Sequence, residues 1–422
     1  MNPASGSSMA SGKHVTVIGG GVVGMLCAWT LLREGMAVTV LERDPGGPGC
    51  STGNAGSVSA GSVAPFGMPG IWRQVPAWML DPDGPFHIQA KALIKVVPWL
   101  VRFLRESTAP RVEKISHGLK ALTAPSIDLY KRVLQELGTG ELMQTTGQLQ
   151  IYRSESARRA DSAVWNLRRA RGVQVEEIDA GQIRDFEPAI SPSYTHGIWL
   201  PNEGSILNPG RLIQSLQEDF VRHGGVLKPC TVRGFDMGPS GPRSVQTDQG
   251  AIPLDNLLVA AGAWSHTLAS QLGSDVPLQT QRGYHVTLPG AGVTLKRPVV
   301  ATDKKIFVTS MEMGLRIAGT VEFGDLDSPP NFRRALALIG HGRGLLPGLK
   351  AEPYSKWMGN RPCLPDSLPV IGPSPRYPSV FYAFGHGHLG VTGAPMTAQI
   401  VKDALLGRQP PVDLAPYRVD RF

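Results

Sequence analysis

Cysteine is scarce in this chain: Cys27, Cys50, Cys230 and Cys363 are the only four in 422 residues, far apart and with no CxxC pair. Neither a zinc ribbon nor a disulfide framework can be built from them, and such usage fits a reducing, cytoplasmic setting. An uninterrupted apolar run is also missing. The nearest imitation, His14 to Leu32, is uncharged at neutral pH and bracketed by Lys13 and Arg33. Its clustered glycines, Gly19, Gly20, Gly21 and Gly24, would break a spanning helix at its middle. No internal repeat and no Gly-X-Y period accompany the 50 glycines and 36 prolines, which excludes a collagen-like chain, and 41% hydrophobic residues exclude a wholly disordered one.

What remains is a large globular protein with many turns, long enough for two domains or for one with a large insertion. Its 42 basic residues exceed its 34 acidic ones, giving a net charge of +8. That balance suits an anionic ligand, a membrane surface or nucleic acid.

The glycine cluster follows a short β-branched run. Val15 to Ile18 reads as a buried parallel strand, Gly19-Gly20-Gly21-Val22-Val23-Gly24 as a GxGxxG turn, and Met25 to Glu34 as a helix stopped by Gly35. A second strand, Ala37 to Leu41, ends at Glu42, where an acid can accept hydrogen bonds from both ribose hydroxyls of an adenosine. Gly19 makes the turn, Gly21 admits a pyrophosphate, Gly24 lets helix and strand pack, and the helix N-terminus faces the phosphates at Val22 and Val23. An acid at this place disfavours a 2′-phosphate, leaving FAD or NAD. Further elements favour FAD. Cys50-Ser51-Thr52-Gly53-Asn54-Ala55-Gly56 is a small-residue loop able to pass close to a cofactor. Leu257 to Ala261 is a third apolar run ended by Gly262-Ala263-Trp264. Val380 to Phe384 is a strand leading into Gly385-His386-Gly387-His388-Leu389-Gly390 and a helix to Leu406, with Gly407 as its stop.

With these motifs assembled, the chain resembles the FAD-dependent D-amino acid dehydrogenases of the glycine oxidase and sarcosine oxidase superfamily, from Val15 to about Leu406. The carriers are IGGGVVG with Glu42, STGNAG, LLVAAGAWS, QRGYHVTL, GNRPCLPDSLPVIG and GHGHLG. The run from Trp357 to Gly390 resembles most the members that oxidise D-hydroxyproline. The resemblance implies an α/β fold, with a Rossmann-like FAD-binding domain and a substrate domain that has a mixed or antiparallel sheet and a helical insertion. The cofactor residues it implies are Gly19, Gly21, Val22, Val23, Gly24, Glu42, Arg43, Ser51, Asn54, Ala55, Gly56, Val232, Gly262, Gly387, His388, Leu389 and Gly390.

Along the chain, residues 1–12 read as a disordered tail. The cofactor domain is expected from 13–65, 202–275 and 356–422, including an amphipathic helix from Pro209 to His223 and a strand through Thr231 and Val232. The substrate domain is expected from 66–201 and 276–355. There Gly147 to Tyr152 and Gly283 to Leu288 alternate as half-buried strands, and Ile306 to Ser310 with Leu315 to Phe323 form a hairpin around Gly314. The stretch 71–105 stands apart: Trp72, Trp78, Phe86, Trp99 and Phe103 are interleaved with Arg73, Lys91, Lys95, Arg102 and Arg105, and Pro98 would kink a helix there. It is either a peripheral contact with the inner face of the cell membrane or a helical subdomain packed on the rest.

The resemblance implies oxidation of a small D-amino or imino acid, D-hydroxyproline or D-proline in the first place. Hydride leaves Cα for flavin N5, and electrons pass to a quinone or other carrier. The substrate carboxylate needs a fixed, fork-shaped cation, and Arg361 in GNRP matches the arginine that holds it in glycine oxidase relatives. Tyr284 and His285 are strand neighbours, so at most one lines the pocket; the resemblance favours Tyr284 as a second carboxylate contact. The helix from Leu389 or Gly390 can aim its dipole at the reduced flavin. His388 is read as a pocket residue toward substrate or flavin, the alternative being a structural role. His386 and His388 have no third metal ligand, so no metal is expected. The nearest alternative is an O2-using amine oxidase of the glycine or sarcosine oxidase type. A more distant one is an RNA-associated flavoprotein, but with no recognition module nucleic acid is not an expected partner.

Overall fold

The computed structural model describes residues 14–73 and 86–422. The expected N-terminal tail and Trp78 lie outside the described residues.

Two β-sheets organise the molecule. The first has six strands in the order Val226–Pro229, Ala37–Glu42, His14–Ile18, Asn256–Val259, Val380–Phe384 and Val370–Pro373. The first five run parallel and the last is antiparallel. The strand order reverses between His14–Ile18 and Asn256–Val259, which leaves a crevice at their carboxyl ends. The helix Val22–Arg33 packs there with little room to spare: a Cβ on Gly24 would stand 1.9 Å from the Gly19 carbonyl oxygen. One apolar core joins this helix to Pro209–Arg222 and to the C-terminal helix Gly390–Leu405. Asp219, on the second of these, accepts hydrogen bonds from Trp29 Nε1 and Arg33 Nη2, each at 2.8 Å.

The strand expected through Val232 exists as Val232–Gly238, but it does not extend the parallel sheet. It opens a separate antiparallel meander with Gly241–Thr247 and Gly250–Pro253, while Val226–Pro229 supplies the parallel edge. The Val226–Pro229 strand is largely exposed or half-buried, so it lacks the apolar run that marks the strands beside it.

The second sheet has nine strands. Its path is Ser355–Cys363, Gln279–Leu288, Gly314–Phe323, Ile306–Met311, Val299–Ala301, Gln148–Tyr152, His196–Leu200 and Glu176–Asp179, with Phe86–Ile88 beside Gly314–Phe323. Pairing is antiparallel except at Val299–Ala301 with Gln148–Tyr152 and at Phe86–Ile88. The expected hairpin forms, and Gly314 turns it with φ of 121°. Ser355–Cys363, placed above with the third cofactor segment, pairs along its whole length with Gln279–Leu288 of this sheet.

Gln279–Leu288 is buried from end to end apart from Gln279 itself rather than half-buried. Both of its faces are covered. Tyr284, Val286 and Leu288 pack in a core with Ala335 and Leu338 of the helix Arg333–Leu345. The opposite face carries His285 and Thr287, with Trp357 and Arg316 beside them, and looks toward the loop 48–56. Residues 71–105 contribute the turn Ile71–Arg73, the strand Phe86–Ile88 and the helix Leu93–Glu106, which runs unbroken through Pro98. Pro98 lies on the exposed side, so the Ile94 carbonyl that loses its helical partner can be solvated.

Gly24→Ala is expected to lower stability by roughly 1–3 kcal/mol through overpacking, read as a fall in the urea midpoint at unchanged m-value.

Candidate functional site: a dinucleotide cleft beside an unpaired arginine

A cleft of about 510 Å³ opens at the carboxyl ends of the parallel strands. Of the residues singled out in the sequence, Gly19, Gly21, Val22, Val23, Glu42, Arg43, Ser51, Asn54, Val232, Gly262, Gly387 and Gly390 line it. The Glu42 carboxylate accepts from the Gly20 amide at 2.6 Å and from the Asp44 amide at 3.1 Å, which fixes it at the end of its strand. The Ser51 hydroxyl accepts from the Val22 amide at 3.1 Å and ties the small-residue loop to the glycine turn. Arg43 stacks on Trp264 with its guanidinium 3.9 Å from the ring centroid, another wall of the cleft.

Gly24, Ala55, Gly56, His388 and Leu389 do not line the cleft. Gly24 serves helix packing, and a Cβ on Gly56 would overlap the Ile206 carbonyl oxygen at 2.1 Å. Leu389 is buried in the core and precedes the C-terminal helix as its N-cap.

Two helix N-termini reach the cleft, at Val22 and at Gly390. Neither has a capping side chain on its own N-cap residue or an acid in its first turn, and of the first-turn amides at Val22 only its own is taken, by Ser51. Their partial positive charge is therefore left for something else. A glycine-lined groove with two such termini, and an acid at the end of the second strand, fits a dinucleotide carrying a diphosphate and a ring that becomes negative on reduction.

The polar face of the large sheet closes the other side. Arg361, half-buried, donates to the Thr320 carbonyl at 3.1 Å. No ion pair joins it to an acid among the described residues, so the rest of its fork is free for a carboxylate. Two irregularities make room for it. Gly283 lacks the side chain that Arg361 would strike: a Cβ there would stand 2.1 Å from Nη2. Opposite lies a β-bulge where Thr320, a β-branched residue, takes φ of 61°, a strained conformation that turns its carbonyl toward the guanidinium.

Tyr284 does not line this site. Its hydroxyl donates to the buried Glu322 carboxylate and accepts from the Asn331 amide at 3.1 Å, on the face packed against the helix Arg333–Leu345. The alternation that allows only one of the pair to face the site selects His285 instead. Its ring stacks on Trp357 with centroids 4.8 Å apart, and a Cβ on Gly53 would overlap Trp357 at 2.1 Å. Burial, with Arg316 adding to it, pushes the His285 imidazole down to about 3. Sequence reasoning weighed His285 but favoured Tyr284, and it missed the roles of Trp357 and of Arg316, whose Nη1 donates to the Asn54 carbonyl at 2.5 Å. Only the strand register shows that they share a face.

His388 is accessible, yet enough protein surrounds it that burial, with Arg361 and Arg168 adding to it, pushes its imidazole down to about 4. It is neutral at pH 7, and its ring lies 6.3 Å from that of Phe66. His386 is different: it is buried, and its Nε2 shares a hydrogen bond of 2.9 Å with Thr397. Strand and helix are stitched together here, the Gly387 amide donating to the Pro362 carbonyl at 2.8 Å. This contact brings Arg361 and the GHGHLG turn together although 24 residues separate Arg361 from Gly385.

The FAD dependent oxidoreductase family model, DAO, matches residues 14–404. The chain belongs to this family. The protein is an FAD-dependent oxidoreductase. A D-amino-acid oxidase of Bradyrhizobium diazoefficiens is 37% identical over 98% of this chain and 100% of its own. A D-amino acid dehydrogenase of Rhodopseudomonas palustris is 30% identical over 97% of each chain. Among solved structures, a glycine oxidase from Geobacillus kaustophilus superposes with a TM-score of 0.75 at 20% identity, covering 97% of this chain and 100% of that one. An L-proline dehydrogenase from P. horikoshii reaches 0.72 at 19% identity, over 97% and 98% of the two chains. At such identities the two structures establish the shared fold.

Glu203, also missed, is a second buried polar centre. It accepts from the Gly61 amide at 3.0 Å, and burial raises its pKa to about 7. The native state thus holds its proton more tightly than the unfolded chain, and its contribution to stability declines as pH rises from the usual carboxyl range to about 7. Glu203→Gln is expected to gain Tm relative to the parent across that interval and to gain nothing further above it, in thermal melts across a pH series. Gly283→Ala should displace the Arg361 side chain and weaken the perturbation of the flavin spectrum by simple carboxylates, with FAD content unchanged.

Proposed function

We propose that the protein oxidises small D-amino or imino acids, D-hydroxyproline or D-proline first among them, and passes the electrons to a quinone or other carrier. It acts in the cytoplasm, peripherally at the inner face of the cell membrane through 71–105. Arg361 is the observation that carries the substrate reading: a cation without an acid partner, held beside an FAD cleft on a face that is otherwise neutral or hydrogen-bonded. The relatives named D-amino-acid oxidase and D-amino acid dehydrogenase, aligned over nearly the whole chain, support the D configuration.

FAD, when bound, supplies a hydride acceptor at N5. The protein's part is binding and electrostatics. Arg361 fixes the substrate carboxylate through two parallel charge-assisted hydrogen bonds, which orients Cα. The N-terminus of Gly390–Leu405 favours negative charge on the reduced ring. Neutral His388, on the accessible side, can exchange a hydrogen bond with the substrate without competing for its carboxylate. A dedicated base is unnecessary when the amine binds neutral, because its lone pair drives hydride departure.

The oxidase reading keeps specific support in the 37% identical relative. Anaerobic bleaching of the flavin by a panel of D- and L-amino acids, including every hydroxyproline isomer, tests the substrate. Bleaching by L isomers alone overturns the D assignment. In air, peroxide formed in step with substrate loss would assign O2 as the acceptor; reduction of a quinone analogue with little peroxide supports the carrier. Arg361→Ala should retain FAD and lose about 2–5 kcal/mol of transition-state binding, seen as a fall of roughly 1.5 to 3.5 decades in kcat/KM. Arg361→Lys should recover only part of it.

A further inference from the structure

The helix Leu93–Glu106 has two apolar faces, and the protein covers one of them. Val96, Trp99 and Phe103 are buried in a small cluster with Ile71, Phe86 and Phe323. On the outside, Ile94 is 85% exposed, Val97 47%, Leu93 46%, and Val101 and Leu104 43% each. At 3.6 residues per turn these five side chains fall within an arc of about 100°. Beside the helix, in the turn Ile71–Arg73, Trp72 is 58% exposed with the Arg73 guanidinium 5.2 Å from its ring centroid. The next sector of the helix carries Arg102 and Arg105, and Lys91 stands just ahead of it. No ion pair joins these three to an acid among the described residues, whereas Lys95 is engaged by Asp325 at 3.1 Å.

We infer that this outer face docks on an anionic phospholipid surface. The inference deepens the peripheral-membrane reading above and rests on it. Contiguous aliphatic side chains, an exposed tryptophan and flanking unpaired cations are the complement of a bilayer interface, where acyl chains take the apolar stripe and headgroup phosphates the cations. A second protein with an apolar groove would satisfy the stripe but not these cations. No helix among the described residues is long and apolar enough to cross a membrane, so the contact is an in-plane one. On its inner side the Phe103 ring centroid lies 6.1 Å from that of Phe66, which in turn lies 6.3 Å from that of His388.

The test is flotation of the FAD-loaded protein with vesicles of phosphatidylcholine alone or mixed with phosphatidylglycerol. The parent protein should float with the mixed vesicles, less so at high salt. Val97→Glu with Val101→Glu should reduce partitioning about tenfold or more, since two apolar side chains leave the interface. Arg102→Gln with Arg105→Gln should remove most of the preference for phosphatidylglycerol. Retained FAD and unchanged flavin bleaching in solution show that the variants are folded. If the glutamate variant floats like the parent, this helix is not the contact, though the peripheral reading stands. If the parent floats with neither vesicle, both fall. A parent dimer in sedimentation that the glutamate variant converts to monomer would assign the face to a second copy of the chain and overturn the lipid surface.

Discussion

The pairing of Ser355–Cys363 with Gln279–Leu288 is the constraint on which the site depends. Nine consecutive residues are matched across it, so Arg361 cannot slip without sending its side chain to the opposite face. The same strand continues through Pro362 and Cys363 into contact with His386 and Gly387. One extended segment thus fixes Arg361 in the large sheet and, a short distance on, the turn that opens the C-terminal helix. The two sheets are registered by covalent continuity, a few main-chain hydrogen bonds, and the Arg316 and Trp357 side chains, which donate to the Asn54 and Pro48 carbonyls.

Charge is distributed across the large sheet to match. The core face hides Arg282 and Glu322 beside Tyr284, the arginine also satisfied by the Pro329 and Ser328 carbonyls. None of the three lines the cleft. The opposite face holds neutral His285 and two arginines, of which Arg316 donates to Thr287 and to the Asn54 carbonyl. Arg361 is the less engaged of the two, with one hydrogen bond, to the Thr320 carbonyl.

The parts of this arrangement that depend on local chemistry could be read from the sequence. GxGxxG with Glu42, the apolar strands, Gly314 at its turn and the glycine-rich approach to the last helix each state their geometry through residue type and short spacing. What depends on pairing could not. Alternation shows that Tyr284 and His285 point oppositely, but not which way; that follows from Met358 and Trp357 across the ladder. Val226–Pro229 escaped because an edge strand need not be apolar, and the role of Gly283 becomes visible only when Arg361 lies over it. The second apolar face of Leu93–Glu106 shows the opposite limit: its composition was plain, but which side chains the core would take was decided by tertiary packing.

The parallel sheet is assembled from both ends of the chain, and this has a bearing on biosynthesis. Asn256–Val259 needs Val380–Phe384 as its outer neighbour, and 120 residues intervene between Val259 and Val380. At roughly 5–20 residues per second, the ribosome leaves that apolar edge uncovered for about 6–24 seconds after it emerges. The cleft, whose last wall includes Gly385, Gly387 and Val391, cannot exist until nearly the entire polypeptide has been made. A nascent chain stalled before Val380 presents an open strand to its neighbours and an incomplete cleft.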